Sequence, residues 1–257
     1  MAEVTKLIHE YLRHDKKFPH VWCPGCGIGI MLGALIRAID RTGFDKNEIV
    51  LVSGIGCSGR LPVYVDFNTL HTTHGRALTF ATGVKLAKPN LKVIVVMGDG
   101  DAVAIGGNHF IHAARRNIDL TAIIVNNSVY GMTGGQMAPT TILGQKTTTS
   151  PGGRNEKRDG FPINLSEMLA VAKGSAYIER TAVNSPANIL KTKKAIAKAF
   201  RVQLEGYGFS LIEVLSPCPT NWKMDTLEAC KWIDEVMAAH FPLGVLKDIT
   251  GDKKDAH

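Results

Sequence analysis

The chain has 257 residues, 45% of them hydrophobic and 21% charged, a balance that can bury an ordinary core without a disulfide or metal to hold it. Its net charge is +7, yet the Lys and Arg residues are scattered apart from short clusters such as Lys191, Lys193 and Lys194, so the basic stripe that nucleic acid requires is missing. No stretch approaches the roughly 18 apolar residues of a membrane span, and the charged first 19 residues lack the apolar run of a secretory leader, so a cytoplasmic protein is expected.

Strand-like and helix-like stretches alternate. Ile28, Met31, Leu32, Leu35 and Ile39 recur at helical spacing and predict a helix over 27–40. A short apolar strand over 49–52 runs into Gly54-Ile55-Gly56-Cys57. Small residues over 75–86 predict a helix, and the β-branched run 92–97 predicts a strand ending in Gly98-Asp99-Gly100-Asp101. A helix around 108–115 and a strand over 121–125 follow, the latter ending in Asn126-Asn127. Residues 145–164 carry Pro151, Gly152, Gly153, Gly160 and Pro162 and predict a long loop, a feature usually functional or mobile. Beyond it come a helix over 165–172, a strand over 177–180, a helix over 186–204 and a strand over 209–215. The turn Ser216-Pro217-Cys218-Pro219, a helix over 224–239 and a polar tail from 250 complete the chain. Apolar runs without alternation indicate strands covered on both faces. Alternation of strand and helix indicates a mostly parallel sheet with helices on both sides, in one domain spanning 1–257. Ligands of such sheets bind beyond the carboxyl ends of the strands, where both glycine turns and the Asn pair fall.

Gly98-Asp99-Gly100 and Asn126-Asn127 span thirty positions, the reach of a turn, a helix and a strand. The glycines allow close backbone approach to phosphate oxygens, and the following helix directs its positive end at an anion. Asp99 and an Asn oxygen are hard ligands of the kind Mg²⁺ takes. The cysteines add a second theme. Cys23 and Cys26 form a CxxC, Cys57 lies in the turn after the first strand, Cys218 stands between two prolines, and Cys230 falls in an apolar helical stretch as a buried bystander. Four cysteines spaced in this way suit an iron–sulfur cluster or zinc, and a CxxC alone also suits a thiol redox pair; spacing does not separate them.

The Gly98-Asp99-Gly100 to Asn126-Asn127 pattern resembles the signature of thiamine-diphosphate enzymes, in which the corresponding groups, here Asp99, Asn127 and the Val129 carbonyl, hold the magnesium. Further motifs narrow the resemblance. Trp22-Cys23-Pro24-Gly25-Cys26-Gly27, Gly54-Ile55-Gly56-Cys57-Ser58, His71-Thr72-Thr73-His74-Gly75-Arg76 and Tyr130-Gly131-Met132-Thr133-Gly134-Gly135-Gln136 resemble the β subunits of 2-oxoacid:ferredoxin oxidoreductases. The stretches 66–76 and 106–112 are most similar to the 2-oxoglutarate (KorB-like) branch.

The resemblance implies a thiamine-diphosphate-binding α/β fold and a [4Fe–4S] cluster on Cys23, Cys26, Cys57 and Cys218. It implies a cofactor cleft lined by Ile55, Gly56, Cys57, Ser58, His74, Gly98, Gly100, Asp101, Met132 and Thr133, with Mg²⁺ on Asp99, Asn127 and Val129. Arg60 is expected to meet the substrate carboxylate, where some relatives carry Lys, and His74 to act at the thiamine. Gly134 stands where some relatives have a second Lys, which leaves a further cationic contact from that loop in doubt, and His20 is a candidate to approach the site. The implied reaction is coenzyme A-dependent oxidative decarboxylation of a 2-oxoacid, 2-oxoglutarate first and pyruvate or branched-chain acids next, with electrons passed to ferredoxin. The glutamate that activates the thiamine ring is expected from an α subunit, in an αβ or (αβ)₂ assembly. A cluster-free decarboxylase subunit with zinc and a non-catalytic metal-binding module are the remaining alternatives.

Overall fold

The computed structural model describes residues 7, 10–15, 19–251 of the chain. A seven-stranded sheet organises it, in the order β2-β1-β3-β4-β8-β7-β9. The strands are β1 (Ile49–Ser53), β2 (Asn68–His71), β3 (Lys92–Gly98), β4 (Thr121–Asn126), β7 (Ser175–Ala182), β8 (Phe209–Leu215) and β9 (Gly244–Asp248), with a separate small hairpin of β5 (Val129–Tyr130) and β6 (Gln136–Met137). Every pairing in the main sheet is parallel except β7 with β9.

The sheet is covered on both sides, as its unbroken apolar strands require. Leu51, Ile94, Val96, Ile123, Ile212 and Val214 point into one core, with α1 (Gly27–Thr42) and α5 (Pro186–Leu204). Their neighbours Val52, Val93, Val95, Met97, Ala122 and Leu211 point into the other, with α2 (Ala77–Ala87), α3 (Gly107–Arg115) and α4 (Leu165–Ala170). Full burial of each such side chain is worth about 1.5–3 kcal/mol relative to exposure. A smaller apolar group including Ile142, Leu215, Ile233 and Phe241 seats the C-terminal helices. Among the described residues no helix is long and apolar enough to cross a membrane.

Several elements depart from expectation. β2 and β9 are edge strands, and β2 is short and polar enough to read as loop. The helix expected over 224–239 is broken: α7 (Thr226–Trp232) passes through a wider turn, Ile233–Met237, into Ala238–His240. Asp225 caps it by accepting from Glu228 N at 2.8 Å, so the helix begins at Thr226 rather than Met224. The 145–164 segment contains a short helical turn, Glu156–Asp159, and is tied down by one buried side chain. Arg154 Nη1 donates to Pro139 O and Thr141 O, both at 2.8 Å, Nη2 to Phe161 O at 2.8 Å, and Nε to Gly160 O at 2.9 Å. The guanidinium thus replaces the secondary structure that the segment lacks. Residues 252–257, most of the predicted tail, lie outside the described residues.

Candidate functional site

The carboxyl ends of β1, β3 and β4 open on one cleft of about 260 Å³. From the β1 side come Ile55, Gly56, Cys57 and Ser58, and His74 enters from the loop after β2. Gly98, Asp99, Gly100 and Asp101 form its floor beyond β3, while Asn127, Val129, Met132 and Thr133 close it beyond β4. Ile28, Val125, Tyr130 and Gly131 complete the wall; Tyr130 and Gly131 belong to the motif that ends in Gln136, whereas Ile28 and Val125 read only as core residues of a helix and a strand. A Cβ on Gly100 would lie 2.3 Å from the Tyr130 ring, so only glycine lets the ring close over this turn.

Asp99 is fully buried at the cleft floor. Burial pushes its carboxyl up to about 7, against the opposing pull of the Thr140 hydroxyl and of backbone N–H groups including that of Asn127. Thr140 Oγ1 donates to Asp99 Oδ2. A carboxylate held dry beside the Asn127 turn calls for a cation, and its oxygen donors suit Mg²⁺. The turn itself is strained: Ser128 has φ +58, a left-handed conformation costing roughly 1–2 kcal/mol for a residue with a side chain. It is held by Ser128 N donating to Asn126 Oδ1 at 3.0 Å and by Thr141 Oγ1 donating to Ser128 O at 2.5 Å.

Asp101 faces a different partner. Its Oδ1 accepts from Gly75 N at 2.5 Å and lies 2.9 Å from His74 Nδ1. Burial raises its carboxyl, opposed by the Gly75 N–H and by His74. The pairing occupies Nδ1 of His74 and leaves Nε2 as the nitrogen open to the cleft. Ser58 Oγ is buried without a protein partner, a hydroxyl free for a ligand beside Gly98.

Three distant segments bring the thiols within electrostatic range of one another. Cys26 N donates to Cys23 O at 3.1 Å, which closes the CxxC turn, and Gly27 N donates to Pro217 O at 3.3 Å. That approach needs glycine, since a Cβ at Gly27 would lie 2.5 Å from Ser216 Oγ. Trp22 Nε1 donates to Cys57 O at 2.7 Å, which joins the CxxC to the β1 turn. Burial pushes the Cys26 thiol up to about 12, and Cys218, Cys57 and Cys23 all add to the rise. Burial likewise lifts Cys57 to about 11, with Cys218 and Cys23 contributing. Among the described residues no three such side chains close on a single metal ion; desolvated thiols that feel one another's charge are donors of the kind a larger thiolate-bound centre takes, and its positive charge would hold them ionised. Cys57 belongs both to this group and to the cleft wall. Cys230 stands apart, half-buried rather than buried, with Asp234 and not another thiol as its charged neighbour.

Two expected residues lie elsewhere. Arg60 does not line the cleft. The tight helical turn Ser58–Val63 carries it into an adjacent groove with Arg13, Pro62, Val63, Thr69 and His71. His20 packs on the Trp22 ring, 4.9 Å between centroids, and against Gly29; it is not part of the cleft wall.

Comparisons with known proteins agree with this site. Residues 54–214 match the family described as thiamine pyrophosphate enzyme, C-terminal TPP binding domain. The 2-oxoglutarate synthase subunit KorB of Archaeoglobus fulgidus is 54% identical over 226 residues, covering 88% of this chain and 79% of that protein. The 2-oxoacid:ferredoxin oxidoreductase subunit beta of Saccharolobus solfataricus is 46% identical over 212 residues, covering 80% of this chain and 65% of that protein. Among solved structures, a 2-oxoglutarate:ferredoxin oxidoreductase from Magnetococcus marinus with 2-oxoglutarate, coenzyme A and succinyl-CoA bound is similar at a TM-score of 0.79 and 30% identity, over 94% of this chain and 84% of that one. By its matched residues, its cleft and its relatives, the chain belongs to the thiamine-pyrophosphate enzyme family and, within it, to the β subunits of 2-oxoacid:ferredoxin oxidoreductases.

Proposed function

We propose that this chain is the β subunit of a cytoplasmic 2-oxoglutarate:ferredoxin oxidoreductase, which converts 2-oxoglutarate and coenzyme A to succinyl-CoA and carbon dioxide. The observation that carries the reading is the double role of Cys57, which lines the cleft and lies within electrostatic range of Cys23, Cys26 and Cys218. Cys23, Cys26, Cys57 and Cys218 would hold a [4Fe–4S] cluster, which would supply one-electron transfer beside the cleft that Cys57 lines. Thiamine diphosphate, when bound, supplies the carbanion and electron-sink chemistry of decarboxylation.

The remaining work falls to side chains of this chain. Asp99, Asn127 and the Val129 carbonyl would hold Mg²⁺, whose charge would neutralise the diphosphate. Gly98, Gly100 and the Ser58 hydroxyl would leave room and a donor for phosphate oxygens. Ile55, Gly56, Met132 and Thr133 shape the space above them. Asp101 orients His74, whose free Nε2 holds or moves a proton at the reacting centre. Arg60 faces the groove next to the cleft, so it meets a substrate carboxylate only if the α subunit or the substrate itself bridges that distance. The glutamate for the aminopyrimidine ring comes from the α subunit, in an αβ or (αβ)₂ assembly. Ferredoxin collects the electrons, and the net charge of +7 favours an acidic partner.

The test is anaerobic purification with the α partner, followed by reduction of a low-potential dye with coenzyme A and either 2-oxoglutarate or pyruvate. Turnover on 2-oxoglutarate with about four irons per chain is expected. Preference for pyruvate would move the substrate assignment within the same family, and zinc without iron would overturn the electron-transfer role.

A further inference from the structure

The thiols and the cofactor cleft are joined by one short turn, α6 (Pro219–Trp222). Its last two residues reach the same loop. Trp222 Nε1 donates to the backbone O of Asn127, a proposed magnesium ligand, at 3.0 Å. Asn221 Nδ2 donates to Gly131 O at 3.1 Å and lies 3.3 Å from Cys218 Sγ. An amide nitrogen carries two hydrogens, so both acceptors can be served at once. Cys57 borders the same spot: a side-chain carbon on Gly131 would touch both Asn221 Nδ2, at 3.5 Å, and Cys57 Sγ, at 3.6 Å. The Asn221 amide therefore sits in the seam between the sulfur of Cys218 and the loop that walls the cleft.

We propose that Asn221 is a positioning residue that donates a hydrogen bond to the Cys218 sulfur and thereby raises the reduction potential of the cluster that sulfur helps to hold, an inference that rests on the cluster reading above. The cause is electrostatic. A cluster gains one negative charge on reduction, part of which falls on its ligand sulfurs, so a donor aimed at a sulfur stabilises the reduced form more than the oxidised one. The same amide, through Gly131 O, ties the sulfur to the cofactor loop. A movement of that loop on cofactor or substrate binding would alter the bond to Cys218.

The test uses the complex with its α partner, purified anaerobically, with iron and sulfide counted in each sample. The midpoint potential is measured by mediated titration, with the reduced cluster followed by electron paramagnetic resonance. Asn221→Asp is nearly isosteric and removes the amide donor; Asn221→Ala removes the side chain; Asn221→Gln keeps a donor. Asp and Ala variants with full iron content are expected to be harder to reduce by tenfold or more, about 59 mV for one electron. Asp should lie lower than Ala because it adds a negative charge, and Gln should return toward the parent. Variants with full iron and an unchanged potential overturn the inference, even if thermal stability or cofactor affinity falls, because a purely structural tie would move only those. Absence of iron from the parent complex overturns the cluster reading and this inference with it.

Discussion

Asn126 Nδ2 donates to Glu213 Oε1 at 2.7 Å, with both side chains closed off from solvent. The bond joins adjacent strands β4 and β8 at the level of the cofactor motif. Glu213 Oε2 in turn accepts from Ser166 Oγ at 2.5 Å and from Arg180 Nε at 2.9 Å, and Arg180 Nη1 reaches Glu167 at 2.7 Å. Asn126 Oδ1 remains to accept from Ser128 N. A buried ion-pair network thus supports, from below, the strained turn that presents Asn127 and Val129 to the cleft. Of the Asn pair, the first is structural and the second lines the cleft.

Removing the centre of this network should unfold the site. Glu213→Ala leaves Arg180 buried and half-paired, at a cost of about 3–5 kcal/mol, and Asn126 without its acceptor. Glu213→Gln retains an acceptor for Asn126 and should cost less. Chemical denaturation ranks the two; equal stability of both variants and the parent would contradict the network's role.

Cofactor affinity should depend on pH through Asp99. Its metal-free carboxyl is raised from 3.8 to about 7 by burial. A folded-state pKa above the unfolded one contributes stability that is present below about pH 4 and lost as pH rises through about 7. Mg²⁺ binds the ionised form, so it offsets that loss and must displace a proton at lower pH. Affinity for magnesium thiamine diphosphate should fall by up to about tenfold per unit below pH 7. Calorimetric titration near pH 6 and pH 8 checks the slope. Asn at position 99 should weaken binding and flatten it.

The segment 145–164 should depend on Arg154. Arg154→Lys keeps the charge but loses the planar fork that serves several carbonyls. Roughly 1–3 kcal/mol of stability should go with it, and protease cleavage within 145–164 should accelerate. Thiamine diphosphate should also bind more weakly, since Pro139 O and Thr141 O flank the threonine that contacts Asp99.

Iron content should separate the cysteines. Cys218→Ser or Cys57→Ser should lose most of the iron and sulfide from the purified complex, whereas Cys230→Ser should leave both unchanged. Loss of iron from the Cys230 variant would mean that the thiol group has been drawn around the wrong four residues.

Much of the architecture is legible in local pattern. Ser185 before Pro186 marks the start of α5, and the apolar run of β8 has both its ends where the pattern sets them. Central strands are apolar throughout because both faces are buried, so they stand out. The edges do not. Asn68-Thr69-Leu70-His71 pairs on one side only and is half exposed, which leaves it no apolar signature. The same holds for β9 at the other edge.

The chemistry divides in the same way. The residue types at the strand ends, Gly98-Asp99-Gly100, Asn127 and Gly54 to Cys57, are of the kind a diphosphate, a cation and a thiolate centre take, and they stand in short contiguous segments. The sequence by itself therefore determined the parallel α/β class and, through the resemblance of those segments to known enzymes, the thiamine cofactor and the family. Only the tertiary structure decided which side chains meet. It turned Arg60 out of the cleft, although Arg60 stands three residues from Cys57. It brought Asn221 and Cys218 to the loop at Gly131, and Arg154 to the carbonyls of 138–141. The physical reason is range: periodicity and turn chemistry act over a few residues, while these contacts depend on how strands far apart in the chain pair and how a four-residue helix docks on them.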